Sequence, residues 1–141
     1  MVQLATGIAE DVVVLLARAS QSALRRANAA LDPFGLRARH YAAMRIAADA
    51  VATPQRQIGL LLGLDPSAVV ALVDDLERAG LVLRQPDPED RRTRLITVTE
   101  VGLRLLAQVE ASAQRVQDEV LEALAPDQRA RFVRLLQQIV G

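Results

Sequence analysis

The chain of 141 residues contains no cysteine, no tryptophan and no lysine, and it has a single histidine. Without thiols it cannot form disulfides or act as a thiol-based redox sensor. Only 2% of the residues are aromatic whereas 51% are hydrophobic, so aliphatic side chains must fill the core. No uncharged run approaches the ~20 residues that a membrane span requires. No basic residue precedes the first apolar stretch, which argues against a secretory signal, so we expect a cytoplasmic protein without membrane contact.

Most enzyme chemistries lack their parts in this sequence. With one histidine, no cysteine and no glycine-rich phosphate loop, nucleophilic and nucleotide chemistries have no recognisable residues. Asp87, Glu89 and Asp90 lie close together, but they share a short segment with arginines and have no histidine nearby. Solvated charge explains this cluster better than a metal site. We therefore expect no catalytic residue, no metal and no cofactor, and the chain is not predicted to be an enzyme.

The strongest helical pattern lies between Asp65, a suitable cap, and Gly80, a suitable end, with Pro66 in the first turn. Apolar residues recur between them at helical spacing, namely Val69, Leu72, Val73 and Leu76. Upstream, Thr53 as cap and Pro54 at the first position predict a second short helix, and Gly63 and Leu64 form the link. This pattern indicates a helix-turn-helix whose second helix enters a DNA major groove, although a plain helical hairpin would look the same.

A hairpin is predicted directly after the helix pair. Leu81–Leu83 is a short apolar run with strand character. Leu95–Thr99 is rich in β-branched residues and is predicted to be the returning strand of the hairpin. The segment 85–94 between them is rich in proline and charge and is expected to be a loop. A helix pair followed by a hairpin with a basic tip indicates a winged helix.

The order of these segments, from about Leu36 to Gly102, resembles the MarR family of transcriptional regulators. The tip Asp90-Arg91-Arg92 and the helix restart Thr99-Glu100-Val101-Gly102 are the most family-specific parts. The resemblance implies a dimer that binds DNA and commonly responds to small phenolic or other anionic compounds. It also implies that Asp90 holds the wing through an ion pair while Arg91 or Arg92 reaches the minor groove. The absence of tryptophan does not support the urate-responsive branch of the family.

A further helix is predicted over 36–51, and apolar helices are predicted on both sides of the lobe, over 8–31, 100–124 and 128–140. The expected fold is mostly α with a small β-hairpin wing. It forms one domain, 1–141, with a winged helix-turn-helix lobe at 33–99 and dimerisation helices at 1–32 and 100–141. As a monomer these helices would leave a large apolar face in water, so we expect a homodimer that reads a palindrome. The residues expected between the two chains are Leu16, Val109, Val120, Leu135 and Ile139.

The candidate DNA contacts lie on the second helix, on the wing and near the helix pair: Ser67, Val70, Ala71, Arg56, Arg84, Arg91, Arg92 and Arg94. A serine can hydrogen-bond to a base edge or a phosphate, whereas valine and alanine contact thymine methyls. The net charge is zero, and the second helix carries acidic residues, namely Asp74, Asp75 and Glu77. This shifts the electrostatic load to the wing, and it keeps open the alternative that the protein is a winged-helix protein-interaction module without specific DNA binding.

A ligand pocket is predicted around His40, with Phe34, Tyr41 and Arg18, because an apolar cleft with an arginine suits a small aromatic anion. The alternative is that His40 is a surface or capping residue. Taken together, the sequence predicts a sequence-specific DNA-binding transcriptional regulator. It would act as a repressor that binds a palindromic operator as a homodimer and is released by such an effector.

Overall fold

The computed structural model describes residues 7–141 of the chain. It is mostly helical, with one small sheet, as the sequence predicts. The helices are α1 (Val12–Leu31), α2 (Ala38–Ala48), α3 (Gln55–Leu62), α4 (Pro66–Arg78), α5 (Glu100–Val120) and α6 (Pro126–Val140). The strands are β1 (Thr53–Pro54), β2 (Val82–Pro86) and β3 (Arg94–Val98), and a short 3₁₀ turn, Asp32–Phe34, joins α1 to α2.

The core lies between α2, α3, α4, α5 and the sheet. Its fully buried side chains are aliphatic or thioether groups: Met44, Ile58, Val73, Val82, Ile96 and Val109. Tyr41 and Phe34, two of the few aromatic residues, pack against this core and are only partly buried. The shortage of aromatic residues is therefore met by close packing of branched aliphatic chains.

The sheet has three antiparallel strands in the order β1-β3-β2, so the predicted two-stranded hairpin is incomplete. Thr53 pairs with Ile96, and Pro54 pairs with Leu95. Thr53 is therefore a strand residue and not a helix cap, and Pro54 is the N-cap of α3, with extended φ and ψ of −58° and 131°. An edge strand tolerates a proline because its missing N–H faces away from the ladder.

The wing, defined here as β2, β3 and the loop 87–93, follows the predicted order, but β2 is longer than predicted and β3 is shifted by one residue. Val82 pairs with Val98 at its base, and Pro86 pairs with Arg94 at its outer end. The strands continue into the segment that was expected to be loop, because paired backbone groups extend a ladder beyond its apolar residues. The arginines at the outer end are thereby carried away from the core.

Several helix limits differ from the sequence prediction by two to four residues. Helix α1 begins at Val12 and not at residue 8, because Asp11 caps it by accepting the Val14 N–H at 3.0 Å. Helix α2 is shorter than 36–51, α5 ends before residue 121, and α6 begins two residues earlier than predicted. Helix ends depend on caps and turns, which periodicity alone does not locate.

The terminal helices differ in how far they pack within one chain. Helix α1 lies along α5, and Val109 of α5 is fully buried, so its predicted place between two chains is wrong. Helix α6 has no buried residue. Leu16, Val120, Leu135 and Ile139 are exposed in the single chain, with exposed fractions of 39–65%. The predicted terminal segment 1–32 also includes residues 1–6, which lie outside the described residues.

Within residues 7–141, no single helix is long and apolar enough to span a membrane. Only α3 and α4 taken together reach that length and apolar composition, and they meet at a bend of 114°.

Candidate nucleic-acid interface

Helix α4, which we call the recognition helix, is fixed by its N-terminal cap and its apolar stripe. The Asp65 carboxylate accepts the Ala68 N–H at 2.8 Å and the Ser67 hydroxyl at 2.7 Å. These hydrogen bonds hold the pKa of Asp65 below its usual value of 3.8, and the one from Ser67 has the largest effect. Gly63 supplies the left-handed turn before the helix, with φ of 64°. The buried residues of the helix are Val69, Leu72, Val73 and Leu76, as predicted from their spacing.

The opposite face of the recognition helix is open to solvent. Ser67 and Ala71 are exposed, and Val70 is 40% exposed. Because the hydroxyl proton of Ser67 is donated to Asp65, its free capacity is that of an acceptor. A base amino group suits an acceptor at this position, and the two apolar side chains suit thymine methyls.

The acidic residues of the recognition helix are paired with protein cations. The Arg84 guanidinium lies 2.7 Å from the Asp74 carboxylate and 3.9 Å from that of Glu77. Arg84 also donates its backbone N–H to Glu77 at 3.2 Å and a side-chain N–H to the Val70 carbonyl at 3.4 Å. The Arg84 side chain is only 20% exposed. It joins β2 to the recognition helix, so its predicted role as a phosphate contact is less suited to its position than a role in placing the wing.

Asp75 lies on the flank of the recognition helix and not on its outward face. Its Oδ2 is 3.1 Å from Nε2 of His40, and its Oδ1 accepts a hydrogen bond from Arg78. The hydrogen bond from His40 is the main cause that lowers the pKa of Asp75. The acidic character seen in the sequence is thus largely neutralised locally, and Asp75 is directed towards α2.

Asp90 holds the tip of the wing through hydrogen bonds. Its Oδ1 accepts the Arg92 N–H at 3.0 Å and its Oδ2 accepts the Thr93 hydroxyl at 3.2 Å. The Asp90 carbonyl also accepts the Thr93 N–H at 2.9 Å. The expected ion pair is not found among the described residues, because the carboxylate closes a local turn around its own backbone instead.

The wing arginines line two separate depressions, and Arg94 lines both of them. A groove of about 490 Å³ runs between α3, the start of the recognition helix and the wing. Four of the predicted DNA contacts line it, namely Arg56, Val70, Arg92 and Arg94. Arg91 lines the second depression with Pro86, Asp87 and Pro88, and its carbonyl accepts a hydrogen bond from Arg94 at 3.0 Å. Folding thus brings Arg56, which is distant in sequence, next to the wing.

The predicted ligand residues do not form one pocket. His40 lines a cleft of about 390 Å³ between α1, α2 and the recognition helix, whereas Arg18 lines a separate depression on α1. Phe34 and Tyr41 pack against the core. The other residues of the His40 cleft were not predicted for it, namely Leu24, Asn28, Arg37, Ala38, Arg39, Leu64, Ala68, Leu72 and Asp75. Arg37 and Arg39 beside His40 in sequence were the available indication.

Comparison with known proteins gives a consistent result. A model of the MarR family matches residues 36–93. The chain is similar to a MarR-family transcriptional regulator from Rhodococcus sp. RHA1, with 35% identity, a TM-score of 0.90 and 96% of each chain covered. It is also similar to CouR from Rhodococcus jostii RHA1, crystallised with p-coumaroyl-CoA, with 33% identity, a TM-score of 0.86 and 96% of each chain covered.

A curated relative adds a third similarity. The "Putative transcriptional regulatory protein for hcr operon" of Thauera aromatica is 26% identical over 99 residues. The match covers 70% of this chain and 60% of the relative's length.

Proposed function

The chain belongs to the MarR family of transcriptional regulators, and from this premise we propose that it is a repressor that binds a palindromic DNA operator as a homodimer. The observation that carries the proposal is the groove in which Arg56, Arg92 and Arg94 lie beside Val70 and the N-terminus of the recognition helix. Three arginine residues beside the start of the recognition helix suit a DNA backbone that passes between helix and wing. No catalytic step is part of the proposal, and binding to DNA implies a cytoplasmic protein.

Affinity and sequence discrimination are divided between the wing and the helix in this proposal. The exposed arginines of the wing neutralise phosphates or enter the minor groove, which supplies affinity for any sequence. Ser67, Val70 and Ala71 face outward and contact base edges, which supplies discrimination. The acidic residues do not oppose binding strongly, since Asp74 and Asp75 already have cationic or hydrogen-bonding partners.

A second copy of the chain is the occupant that we propose for the exposed apolar side of the terminal helices. Phe132, Leu135 and Ile139 lie on α6 at helical spacing and are 36–65% exposed in the single chain. Contiguous exposed apolar surface of this kind is rare on monomers. Pairing two chains through α1, α5 and α6 covers it, and it presents two recognition helices to a palindrome.

The effector that we propose is a small aromatic anion or its acyl derivative, bound in the His40 cleft. Leu24, Leu64 and Leu72 give the cleft an apolar floor, and Arg37 and Arg39 give it cationic sides. CouR, a relative with p-coumaroyl-CoA in its crystal structure, supports this choice of ligand class. The predicted pocket residues Arg18, Phe34 and Tyr41 are not part of the proposal.

The test is binding to duplex DNA that has been selected from a random pool. Fluorescence anisotropy at several salt concentrations should give a steep loss of affinity with salt, as expected when Arg side chains displace counterions. Replacing Arg91 and Arg92 by alanine should weaken all duplexes about equally and lower the salt slope by up to roughly two units. Arg104→Ala, an exposed arginine on α5, is the matched control and should change neither quantity.

The helix is tested separately from the wing. Ser67→Ala should reduce discrimination at one base pair by about 1–3 kcal/mol and should leave random DNA almost unaffected. If the selection enriches no sequence and the wing variant behaves like the wild type, this surface does not face DNA. The exposed Leu60 and Leu61 of α3 would then favour the alternative, a winged-helix module that binds a protein.

A further inference from the structure

The His40 cleft and the recognition helix share a wall. The cleft is bounded by α1 and the start of α2 on two sides, and by Leu64, Ala68, Leu72 and Asp75 on the third. Three of these four residues belong to the recognition helix. A ligand in the cleft would therefore contact the element that is proposed to read DNA.

A partly exposed hydrogen bond joins α2 to the recognition helix at this cleft. Nε2 of His40 and Oδ2 of Asp75 are 3.1 Å apart, although the residues are 35 positions apart in the chain. The His40 side chain is only 20% exposed, and its Nδ1 is buried without a hydrogen-bond partner among the described residues. A proton on Nδ1 would have no acceptor there, so the ring donates its Nε2–H to Asp75.

The carboxylate of Asp75 is held from both sides. His40 binds one oxygen and Arg78, one turn further along the same helix, binds the other. The hydrogen bond from His40 is the largest contribution that lowers the pKa of Asp75, and Arg78 lowers it further. The contact thus fixes the flank of the recognition helix on α2 through a charged acceptor.

The remaining polar side of the cleft is cationic. Arg37 and Arg39, both exposed, precede His40 at the start of α2, and among residues 7–141 Asp75 is the one acidic residue that lines the cleft. An incoming anion would be attracted by these arginines. It would then compete with Asp75 for the same donor, the Nε2–H of His40.

We propose that the His40–Asp75 hydrogen bond couples the cleft to DNA binding. An anionic ligand accepts the hydrogen bond from Nε2–H of His40 in place of Asp75, and this frees the flank of the recognition helix. The inference rests on the proposed function. The ligand anion and the released carboxylate repel each other, so the helix wall moves away from α2. A ligand can shift the helix only because it binds the displaced arrangement better, and DNA must in turn weaken ligand binding by the same factor.

The single histidine allows this contact to be observed directly. In ¹⁵N-labelled protein with any purification tag removed, the imidazole nitrogens of His40 should show the Nε2–H form. Asp75→Asn should shift these signals, whereas Asp74→Asn, a charge-matched change on the same helix that faces Arg84, should not. Millimolar p-coumaroyl-CoA or p-coumarate should shift them in the wild type. Unchanged signals with both probes overturn anion competition at His40.

The coupling is measured by the effect of the same probes on affinity for the selected duplex. We expect p-coumaroyl-CoA to weaken binding by wild-type protein by roughly tenfold, within the usual range of allosteric factors. His40→Ala should reduce this effect to below about twofold, whereas His40→Gln, which keeps a donor near Nε2, should retain most of it. If the probe weakens DNA binding of the His40→Ala protein and of the wild type by the same factor, the proposal is overturned.

A failure of the proposed function can be distinguished from a failure of the coupling. A wild-type protein that binds no selected duplex contradicts the proposed function, while the NMR titration still decides whether the anion reaches His40. Normal DNA binding with a probe effect that does not depend on His40 contradicts only the coupling. Far-ultraviolet circular dichroism of each variant verifies that the helices are intact.

Discussion

Replacement of Arg84 by alanine should loosen the wing on the recognition helix without removing a contact to DNA phosphate. The Arg84 guanidinium is 2.7 Å from Asp74 and 3.9 Å from Glu77, and it also donates to the Val70 carbonyl at 3.4 Å. With 20% exposure, this side chain is shielded from solvent more than most surface arginines. The wing and helix are therefore joined by a partly buried charge network.

The magnitude follows from what alanine removes and what it leaves. Hydrogen bonds to charged groups contribute about 1.5–3 kcal/mol, whereas exposed ion pairs contribute about 0.2–1 kcal/mol. Asp74 and Glu77 are 44% and 42% exposed, so their carboxylates regain water when the guanidinium is lost. The backbone hydrogen bond from residue 84 to Glu77 remains possible. We expect the free energy of unfolding to fall by about 1–2 kcal/mol.

Urea unfolding at one fixed protein concentration measures this change, since dimer stability depends on concentration. Arg84→Lys keeps the charge but not the planar fork and should recover only part of the loss. DNA affinity of Arg84→Ala should decrease because the wing is less well positioned. The slope of affinity against salt should stay at the wild-type value, because only groups that touch phosphate release counterions.

Arg92→Ala is the matched comparison, because Arg92 is exposed at the wing tip and lines the groove beside the recognition helix. It should show the opposite behaviour, with unchanged unfolding and a lower salt slope. If Arg84→Ala lowers the salt slope by about one unit and leaves unfolding unchanged, Arg84 contacts phosphate and the positioning argument is refuted.

Three further predictions concern folding and assembly. Gly102 lies at the start of α5, and Gly102→Ala should lower the free energy of unfolding in urea by about 1–3 kcal/mol, because the added Cβ overlaps the Leu81 carbonyl oxygen. The pKa of Asp65 is lowered by folding, so its contribution to stability is present above the unfolded value of 3.8 and is lost as the pH falls through the folded value. Asp65→Asn keeps a capping oxygen and should flatten the acid side of an unfolding-against-pH curve; an unchanged curve contradicts this assignment. Light scattering should give twice the chain mass of 15.3 kDa. Leu135→Asp should lower the mass towards that of one chain, whereas Val51→Asp, at an exposed position of the lobe, should not. A Leu135→Asp variant that keeps the dimer mass contradicts a place for α6 in the interface.

The recognition helix is the part of the molecule that local sequence determines best. Asp65 and Pro66 start it, and its apolar residues recur every three or four positions. Gly80 follows its end in the left-handed region, with φ of 73°. All of these interactions join residues within one or two helical turns, so their pattern is visible in the sequence. The antiparallel order of β2 and β3 is predictable for the same reason, since one short loop joins them.

Thr53 and Pro54 show where local pattern is insufficient. By sequence they are a cap and a first helical residue, yet the partner strand β3 takes them into the sheet. A two-residue strand has no periodicity of its own, and Thr53 is buried where it pairs with Ile96 of the partner strand. Strand pairing of this kind depends on tertiary context and overrides the local preference for a cap.

The charges of the site were decided by the tertiary structure alone. The sequence shows an acidic helix and a basic wing, and it assigns both to solvent or DNA. Folding instead brings Arg84 onto Asp74 and His40 onto Asp75, contacts that span the turn into β2 or the distance between two helices. A side chain's partner depends on which elements pack together and on the distance between their faces, and composition and spacing do not specify either. The sequence thus determined the helices and the hairpin, whereas packing decided the third strand and which charges remain available to a ligand.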